Sequence, residues 1–251
     1  MHNLAGSTFG RFNVEQLLGM GGFAVVYKAF DTDNNQDVVL KILHRRWSNH
    51  KNIINQFIKE GQTLSKLSHP NVIKLYNVET LYGQPFYVME YLPGVPLSDI
   101  LSGESLTPIL PVYKTFIYDI LSQIAEALNY LHSKKIIHRD IKPSNIFIAD
   151  DYTAKLLDFG CSQHLLGLGL QEKDRTGTLK YMSPEQKAGK RINEKSDIYS
   201  FGLTIQEILE KYMDLSPEKL NEITRKALEL KPKNRVADPI KLVDEICSIL
   251  G

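Results

Sequence analysis

The sequence predicts an α+β, bilobal fold in which a β-rich N-lobe precedes a mainly α-helical C-lobe. Up to about residue 91, short runs rich in β-branched and aromatic residues alternate with turn-forming segments such as Asp31–Asn35. After Leu92 the apolar residues recur at helical spacing instead. We therefore divide the chain into an N-lobe of about 9–91 and a C-lobe of about 92–251, both within a single domain spanning 1–251.

Five apolar runs predict the strands of the N-lobe, namely Phe12–Leu18, Phe23–Phe30, Val38–Leu43, Val72–Val78 and Phe86–Tyr91. Between the third and fourth runs, one set of apolar residues has helical spacing and predicts a single helix: Ile54, Phe57, Ile58, Gly61, Leu64 and Leu67. We expect His69-Pro70-Asn71 to end this helix.

Further apolar stripes predict the helices of the C-lobe. The first two stripes are Phe116, Ile120, Ile124, Leu128 and Leu131, and then Ile198, Phe201, Ile205, Ile208 and Leu209. The last two are Leu220, Ile223, Ala227 and Leu228, and then Ile240, Val243, Ile246 and Leu250. Ordinary core packing accounts for nearly all of these residues.

Composition limits the class of partner. Of the 251 residues, 43% are hydrophobic and 24% charged, and Lys plus Arg number 30 against 29 Asp plus Glu. This balance predicts a globular protein and gives no reason to expect nucleic acid or an anionic membrane as the main partner. Two cysteines suit a reducing compartment. Since no apolar run approaches the ~18 residues of a membrane helix, we expect no membrane segment and a cytoplasmic location.

Two features of the N-lobe point to a bound anion. Gly19 and Gly21 lie between two predicted strands, where glycine lets backbone N–H groups approach phosphate oxygens, although such a hairpin is more often only a hairpin. Lys41 lies inside a β-branched strand, where an ammonium is costly unless it meets an anion. That anion is a nucleotide phosphate or the carboxylate of Glu60, and the alternative is that Lys41 reaches solvent from an edge strand.

Two segments of the C-lobe carry hard oxygen ligands. Ile137–Phe147 packs His138, Arg139, Asp140, Lys142 and Asn145 into a short stretch between apolar runs, and Asp158-Phe159-Gly160 follows. Carboxylate and amide oxygens are the ligands that Mg²⁺ prefers.

With these motifs the chain resembles the eukaryotic-type protein kinase family, and in particular its bacterial serine/threonine members, from about Phe9 to Ile249. The resemblance implies a bilobal protein-kinase fold with one regulatory helix in the N-lobe. It also implies ATP and Mg²⁺ as cofactors and a protein substrate. The implied reaction transfers the γ-phosphoryl group to protein hydroxyls.

The resemblance assigns roles to the residues that match the family's motifs. Gly19, Gly21 and Val26 would cover the phosphates, and Lys41, held by Glu60, would bind the α- and β-phosphates. In the C-lobe, Asp140 would be the base, Lys142 would offset charge on the γ-phosphoryl group, Thr178 would contact both, and Asn145 and Asp158 would bind the metal. The remaining matches form the adenine pocket: Val39, Met89 as gatekeeper, the backbone of Glu90 and Leu92, and Phe147.

Other matches concern structure and regulation. Asp197 resembles the aspartate that braces the catalytic loop, and Arg235 resembles the partner of Glu185. Arg139, next to the base, predicts control by phosphorylation of the activation segment, with Thr176 as the favoured and autophosphorylated residue. The alternative is an unmodified Thr176, with Arg139 pairing to a carboxylate such as Glu172 or Asp174.

One departure from the family is large. Only 38 positions (235 minus 197) separate Asp197 from Arg235, so the C-lobe is shortened between its central helix and its C-terminal helices. We expect ATP chemistry to survive this loss, and a regulatory partner or dimer to cover the exposed surface.

The form of the catalytic loop also narrows the reaction. A lysine two positions after the base, as in Lys142-Pro143-Ser144-Asn145, resembles serine/threonine rather than tyrosine kinases. Two rival functions are a pseudokinase scaffold and a small-molecule phosphotransferase of kinase-like fold.

Overall fold

The computed structural model describes residues 4–103, 114–158 and 179–250. The described residues form two compact units. Residues 4–69 and 73–92 form the first, which we call the N-lobe, and residues 70–72, 93–158 and 179–250 form the second, the C-lobe. Among the described residues, no helix is both long enough and apolar enough to cross a membrane.

The N-lobe is built on an antiparallel sheet of six strands in the order β1-β2-β3-β4-β6-β5. The strands are β1 (Ser7–Phe9), β2 (Phe12–Met20), β3 (Ala24–Asp31), β4 (Gln36–Leu43), β5 (Leu75–Leu81) and β6 (Gln84–Glu90). Helix α1 (Lys51–Leu64) follows β4 after a single 3-10 turn at Arg45–Trp47.

Because side chains alternate between the faces of a strand, each face of this sheet has its own character. One face carries the apolar core, whose members are Phe9, Phe12, Val14, Val25, Tyr27, Ala29, Val38, Leu40, Ile42, Phe86 and Val88. On the other face, β3 and β4 carry the partly exposed Val26, Val39 and Lys41.

Helix α1 packs on this second face through close contacts at Phe57 and Gly61. The ring of Phe57 stacks on Tyr87, with centroids 4.0 Å apart, and the Tyr87 hydroxyl donates a 2.6 Å hydrogen bond to the Phe57 carbonyl. A Cβ atom on Gly61 would lie 2.5 Å from Tyr87 Cε1 and closer still to Val78 Cγ2. Glycine therefore lets the helix approach the sheet.

The N-lobe prediction missed strand β1 and was wrong in three further details. Helix α1 ends at Leu64 rather than at His69, and its buried face uses Ile53 instead of Ile54. Strand β5, which corresponds to the predicted run Val72–Val78, begins at Leu75. Val72 belongs to the C-lobe unit, because the Asn71 carbonyl accepts the Leu156 N–H at 2.9 Å.

The C-lobe is mainly helical. Its helices are α2 (Leu97–Ser102), α3 (Lys114–Ser133), α4 (Pro184–Lys187), α5 (Glu194–Tyr212), α6 (Pro217–Thr224) and α7 (Pro239–Leu250). A small sheet joins β7 (Gly94–Pro96), β8 (Ile146–Ala149) and β9 (Ala154–Leu156). Single 3-10 turns lie at Pro143–Asn145 and Pro232–Asn234. The α+β, bilobal fold class is confirmed.

Helix α5 is buried on more than its apolar stripe. Its fully buried residues include Ile198, Phe201 and Ile205, but also the polar Asp197 and Thr204. Buried polar groups need hydrogen-bond partners, so these side chains indicate contacts that an amphipathic stripe does not predict.

The end of the C-lobe differs in detail from the prediction. Helix α6 ends at Thr224, before Ala227 and Leu228, and α7 buries Leu242 where we had placed the partly exposed Ile240. The chain passes from α5 to α6 through residues 213–216 alone. Whether this region is shorter than in other family members stays a prediction.

Candidate active site

The strand register of the N-lobe aligns several of the predicted nucleotide-binding residues. Gly19 pairs with Val26 across β2 and β3, Val26 pairs with Lys41 across β3 and β4, and Lys41 pairs with Tyr87 across β4 and β6. Directly paired residues share a face of an antiparallel sheet. The three predicted residues therefore form one row, which ends at Tyr87 beneath α1.

A second row runs beside the first. Val39 pairs with Met89, in the same register and on the same face. Glu60 lies on α1 next to Gly61, which contacts the Tyr87 ring that pairs with Lys41. The strand register and the helix contact thus bring Glu60 to the side of the sheet that carries Lys41.

The glycine loop between β2 and β3 is open on its side-chain side. A Cβ on Gly19 would meet no atom within 4 Å, and one on Gly21 would lie 3.7 Å from the Ala24 carbonyl oxygen. Packing within the described residues therefore does not explain why these positions lack side chains. The open space suits a ligand that approaches the backbone.

Side chains that follow β4 hold the tip of this loop through its carbonyls. His44 Nε2 lies 2.7 Å from the Gly21 oxygen, and Trp47 Nε1 donates to the Gly22 oxygen at 3.5 Å. The Phe23 ring stacks on Trp47 with centroids 5.4 Å apart. Sequence reasoning missed His44 and Trp47, because contacts to backbone carbonyls leave no periodic signal.

The end of β6 is fixed by Lys74. The Glu90 N–H donates to the Lys74 carbonyl at 3.0 Å, while Glu90 Oε1 accepts the Lys74 N–H at 2.6 Å. A ligand that uses the backbone of Glu90, as predicted, would therefore have to use its carbonyl group. Leu92 is half-buried two residues further on.

In the C-lobe, the predicted base lies in a polar cluster. The Asp140 carboxylate pairs with Lys142 Nζ at 2.9 Å and accepts a 2.9 Å hydrogen bond from Asn145 Nδ2. Asp140 and Asn145 are 9% and 7% exposed. In a nearly buried site these charge-assisted contacts fix the direction of the carboxylate.

His138 holds the backbone on both sides of this cluster. Its Nε2 donates to the Leu157 carbonyl at 2.9 Å, and its Nδ1 accepts the Asp140 N–H at 3.3 Å. Complete burial lowers the pKa of the His138 ring, although Asp197 and Asp140 act to raise it. The ring is therefore neutral, in the tautomer with its proton on Nε2.

The prediction that Asp197 braces the catalytic loop is confirmed. Its buried carboxylate accepts the Arg139 N–H at 2.7 Å and the His138 N–H at 2.9 Å, and it contacts His132 Nε2 at 2.9 Å. Arg139 has a φ of +72°, a left-handed conformation that is costly for a residue with a side chain. The two N–H bonds stabilise the loop in that conformation. Sequence reasoning missed His132.

The predicted pairing of Arg235 with Glu185 is also confirmed. Arg235 Nη1 and Nη2 donate to the two Glu185 carboxylate oxygens at 2.6 and 2.8 Å, and Ser196 Oγ donates to one of them at 2.7 Å. Burial acts to raise the pKa of the Glu185 carboxyl. The hydrogen bonds from Arg235 and Ser196 outweigh it and lower this pKa to about 2.

The predicted metal-binding residues have suitable chemistry. Asn145 Nδ2 donates to both the carbonyl and the carboxylate of Asp140, so the amide turns its oxygen away from Asp140. The Leu157 N–H donates to the Asn145 carbonyl at 2.8 Å, which places Asp158 next in the chain after this contact. Asp158 is exposed, with a φ of +49°.

These observations fit a magnesium ion. An amide oxygen directed away from Asp140 and an exposed carboxylate are hard ligands, and Mg²⁺ commonly takes only one or two protein oxygens beside phosphate and water. Among the described residues, no group of three or more His, Cys, Asp or Glu side chains is arranged to hold a metal.

The remaining predicted residues are placed as follows. Phe147 lies on β8, where it pairs with Pro96 and Lys155, and it is half-buried. Thr178, the activation-segment candidate Thr176, and the alternative partners Glu172 and Asp174 lie outside the described residues.

The fold and the polar cluster around Asp140 are typical of a class of bilobal phosphotransferases. The sequence model of the family described as "Protein kinase domain" matches residues 12–247, so the chain belongs to the protein kinase family. It has the catalytic domain of a bacterial-style serine/threonine protein kinase.

Curated relatives carry that name. PrkC of Bacillus subtilis is 32% identical over an alignment that covers 88% of this chain and 33% of the relative. PknB of Mycolicibacterium smegmatis is 31% identical, over 90% of this chain and 40% of the relative. The chain thus spans well under half the length of these relatives.

Solved structures agree on the fold. The crystal structure of the PknI kinase domain of Mycobacterium tuberculosis has a TM-score of 0.74 to this chain at 23% identity. The match covers 98% of both chains. At this identity the likeness shows the fold alone.

Proposed function

We propose that Asp140 is the catalytic base with which this serine/threonine kinase domain activates an acceptor hydroxyl. The observation that carries the proposal is its double restraint, by Lys142 Nζ and by Asn145 Nδ2, both at 2.9 Å. A loose, charge-rich transition state is stabilised mainly by positioning and electrostatics. A fixed carboxylate orients the hydroxyl and accepts its proton, and Lys142 supplies positive charge beside it.

The proposed metal ligands are Asn145 and Asp158. When bound, Mg²⁺ neutralises charge on the phosphate oxygens and orients them. The amide oxygen of Asn145, directed away from Asp140, and the exposed carboxylate of Asp158 support this assignment. For Asp158, support also comes from the backbone of the preceding residue Leu157, which is hydrogen bonded to Asn145 and to His138.

The N-lobe residues are proposed to bind ATP. Lys41 would bind phosphate oxygens, with Glu60 restraining its ammonium, and the glycine loop with Val26 would cover the phosphates. For adenine, we propose contacts with Val39 and Met89, the Glu90 carbonyl, the Leu92 backbone, and Phe147. Support comes from the shared sheet face of Gly19, Val26, Val39, Lys41 and Met89.

Autophosphorylation and the partners are further proposals. Thr176 is the proposed modified residue and Thr178 the proposed contact of the base and Lys142. A protein substrate follows from the kinase family. A regulatory partner or dimer, and a cytoplasmic location, stay predictions.

The decisive experiment incubates the protein with Mg²⁺ and labelled ATP beside an Asp158→Ala control, and maps the label by mass spectrometry. We expect label on Thr176 or on neighbouring hydroxyls, and none in the control. ATP binding without transfer to the chain or to an added protein would instead support a scaffold. Label on a small metabolite would support the small-molecule phosphotransferase.

A second variant tests the base itself. Asp140→Asn keeps the size of the side chain and removes its basicity, so we expect kcat to fall by roughly 10² to 10⁴-fold. Nucleotide affinity, measured by fluorescence titration, should change little. An unchanged kcat would exclude Asp140 as the base.

A further inference from the structure

We propose that Gln186 is a positioning residue for the catalytic base, an inference that rests on the proposed role of Asp140. Gln186 lies in the short helix α4, directly after Glu185. Its side-chain Nε2 donates a 2.9 Å hydrogen bond to the backbone carbonyl of Arg139. That carbonyl belongs to the peptide group that joins Arg139 to Asp140.

This peptide group is held at both of its polar atoms. Gln186 binds its carbonyl oxygen, and the ring of His138 accepts its N–H, which is the N–H of Asp140, at 3.3 Å. Rotation of this peptide plane would change ψ of Arg139 and φ of Asp140, and so the direction in which the Asp140 carboxylate points. The hydrogen bond from Gln186 therefore restrains Asp140 through the peptide group that directly precedes it.

The restraint is needed because of the neighbouring backbone conformation. Arg139 has a φ of +72°, which a non-glycine residue adopts only when its surroundings enforce it. Asp197 holds the N–H of Arg139 at 2.7 Å. Gln186 holds its carbonyl, so the residue before the base is fixed on both sides by side chains from α5 and α4.

Gln186 is itself fixed at its other end. Its Oε1 accepts hydrogen bonds from the Ser183 N–H at 3.0 Å and from Ser183 Oγ at 2.9 Å, forming a capping box at the start of α4. The adjacent Glu185 is anchored by Arg235. The two ends of one amide thus connect the Ser183-Pro184-Glu185 segment to the catalytic loop.

The capping role and the positioning role can be separated by chemistry. A capping box accepts glutamate as well as glutamine, because only an acceptor oxygen is needed there. Only the amide can donate to the Arg139 carbonyl. Gln186→Glu therefore keeps the cap and removes the bond to the catalytic loop, and Gln186→Met removes both without adding charge.

The experiment compares these variants with Gln206→Glu and Gln206→Met as matched controls. Gln206 lies on α5, and its Nε2 bonds to Asn221 at 3.2 Å, on the surface of the same lobe. For both Gln186 variants we expect kcat to fall roughly ten- to hundredfold, since small displacements of a reacting group are costly. KM for ATP should stay within about twofold, and the control variants should match wild type.

A second readout does not depend on activity. Amide hydrogen exchange of the peptide that contains residues 138–145 should become faster in both Gln186 variants and stay unchanged in the controls. Wild-type kcat with unchanged exchange in Gln186→Met would overturn the inference. A loss of kcat in Gln186→Glu alone would also overturn it, because charge and not position would then be the cause.

The two proposals fail differently. If the wild-type domain transfers no phosphoryl group to any hydroxyl, the proposed function is wrong. Amide hydrogen exchange of residues 138–145 still decides whether Gln186 restrains this loop. If wild type is active and the Gln186 variants match the Gln206 variants in both readouts, only the positioning role is wrong.

Discussion

The N-lobe and the C-lobe position their candidate site residues by different physical means. In the N-lobe, Gly19, Val26 and Lys41 take their positions from the register of a regular antiparallel sheet. In the C-lobe, Asp140 lies in an irregular loop whose backbone is held by buried polar side chains, above all Asp197. The first arrangement depends on packing and strand pairing, and the second on satisfied hydrogen bonds.

This difference predicts how each lobe responds to substitution. A sheet distributes its stability over many backbone bonds, so the loss of one polar surface contact is small. A buried polar contact contributes much of its stability through a single pair of groups. Removal of one partner is therefore costly, because the other is left desolvated and unpaired. Four sets of variants test this contrast.

The largest effect is expected for Arg235→Met in the C-lobe. Glu185 would lose both guanidinium bonds while remaining 6% exposed, and we expect the free energy of unfolding to fall by about 3–5 kcal/mol. Urea denaturation measures this change. The matched control is Lys226→Met, which breaks an exposed pair with Glu245 and should cost less than about 1 kcal/mol. Equal effects would contradict the contrast.

The same ion pair predicts a pH dependence. The pKa of Glu185 is about 2 in the folded domain against an ordinary 4.5, so its contribution to stability is full above pH 4.5 and is lost as pH falls towards 2. In Arg235→Met the guanidinium no longer lowers the pKa of Glu185, so this contribution to stability should disappear. The difference in urea midpoint between wild type and Arg235→Met should therefore narrow on acidification, and a constant difference would exclude this ion pair as its cause.

Asp197→Asn should have the next largest effect. One amide oxygen cannot replace a carboxylate that accepts two backbone N–H groups and contacts His132, and the new NH₂ group would face a donor. We expect a loss of about 3 kcal/mol in unfolding free energy, together with a lower kcat. Calorimetry and steady-state kinetics check the two parts. A stable variant with normal kcat would show that the loop does not need this brace.

In the N-lobe, the sensitive position is one of packing. Gly61→Ala would place a Cβ 2.5 Å from Tyr87 Cε1, so we expect about 2 kcal/mol of destabilisation from overpacking. Gly19→Ala is the control, because a Cβ there meets no atom within 4 Å. Thermal unfolding separates the two. Equal shifts in Tm would mean that α1 moves away from the sheet without cost.

The smallest effect is expected for Arg11 in the N-lobe. Arg11 donates to Glu79 and Asp31 and lies over the Phe12 ring, but its side chain is 26% exposed. Arg11→Met keeps the apolar contact, and the buried Asp31 keeps its hydrogen bonds from the Asp33 N–H and from Asn34 Nδ2. Because no buried charge is left unpaired, we expect a loss of about 1 kcal/mol. A loss as large as that of Arg235→Met would remove the distinction between the two lobes.

Sequence reasoning predicted the regular parts of the fold better than the irregular ones. Strand β4 was expected at Val38–Leu43 and spans Gln36–Leu43, because a short run of apolar and β-branched residues is itself a signal for a strand. Val72 was misplaced, since its position follows from the backbone bond between Asn71 and Leu156, which lie far apart in the chain. Such long-range bonds leave no periodic pattern.

The same limit applies to the candidate site. Asp140, Asn145 and Asp158 were predicted from their motifs, and their roles stay predictions, whereas the pairing of Arg235 with Glu185 was predicted from the family resemblance and is confirmed. His44, His132 and Gln186 were not proposed as site residues, because each acts through a backbone carbonyl or a single buried partner. For Gln186 the signal was the capping-box spacing from Ser183, which predicts a helix start but no contact with Arg139.

The contact of Gly61 with the sheet has a mechanical consequence. If α1 tilts about that contact, each residue moves in proportion to its distance along the helix axis, at about 1.5 Å per residue. Glu60 is one residue from this fulcrum and Lys51, the first residue of the helix, is ten residues away. The backbone at Lys51 therefore moves much further than the backbone at Glu60, so the residue proposed to restrain Lys41 stays close to the contact about which the helix tilts.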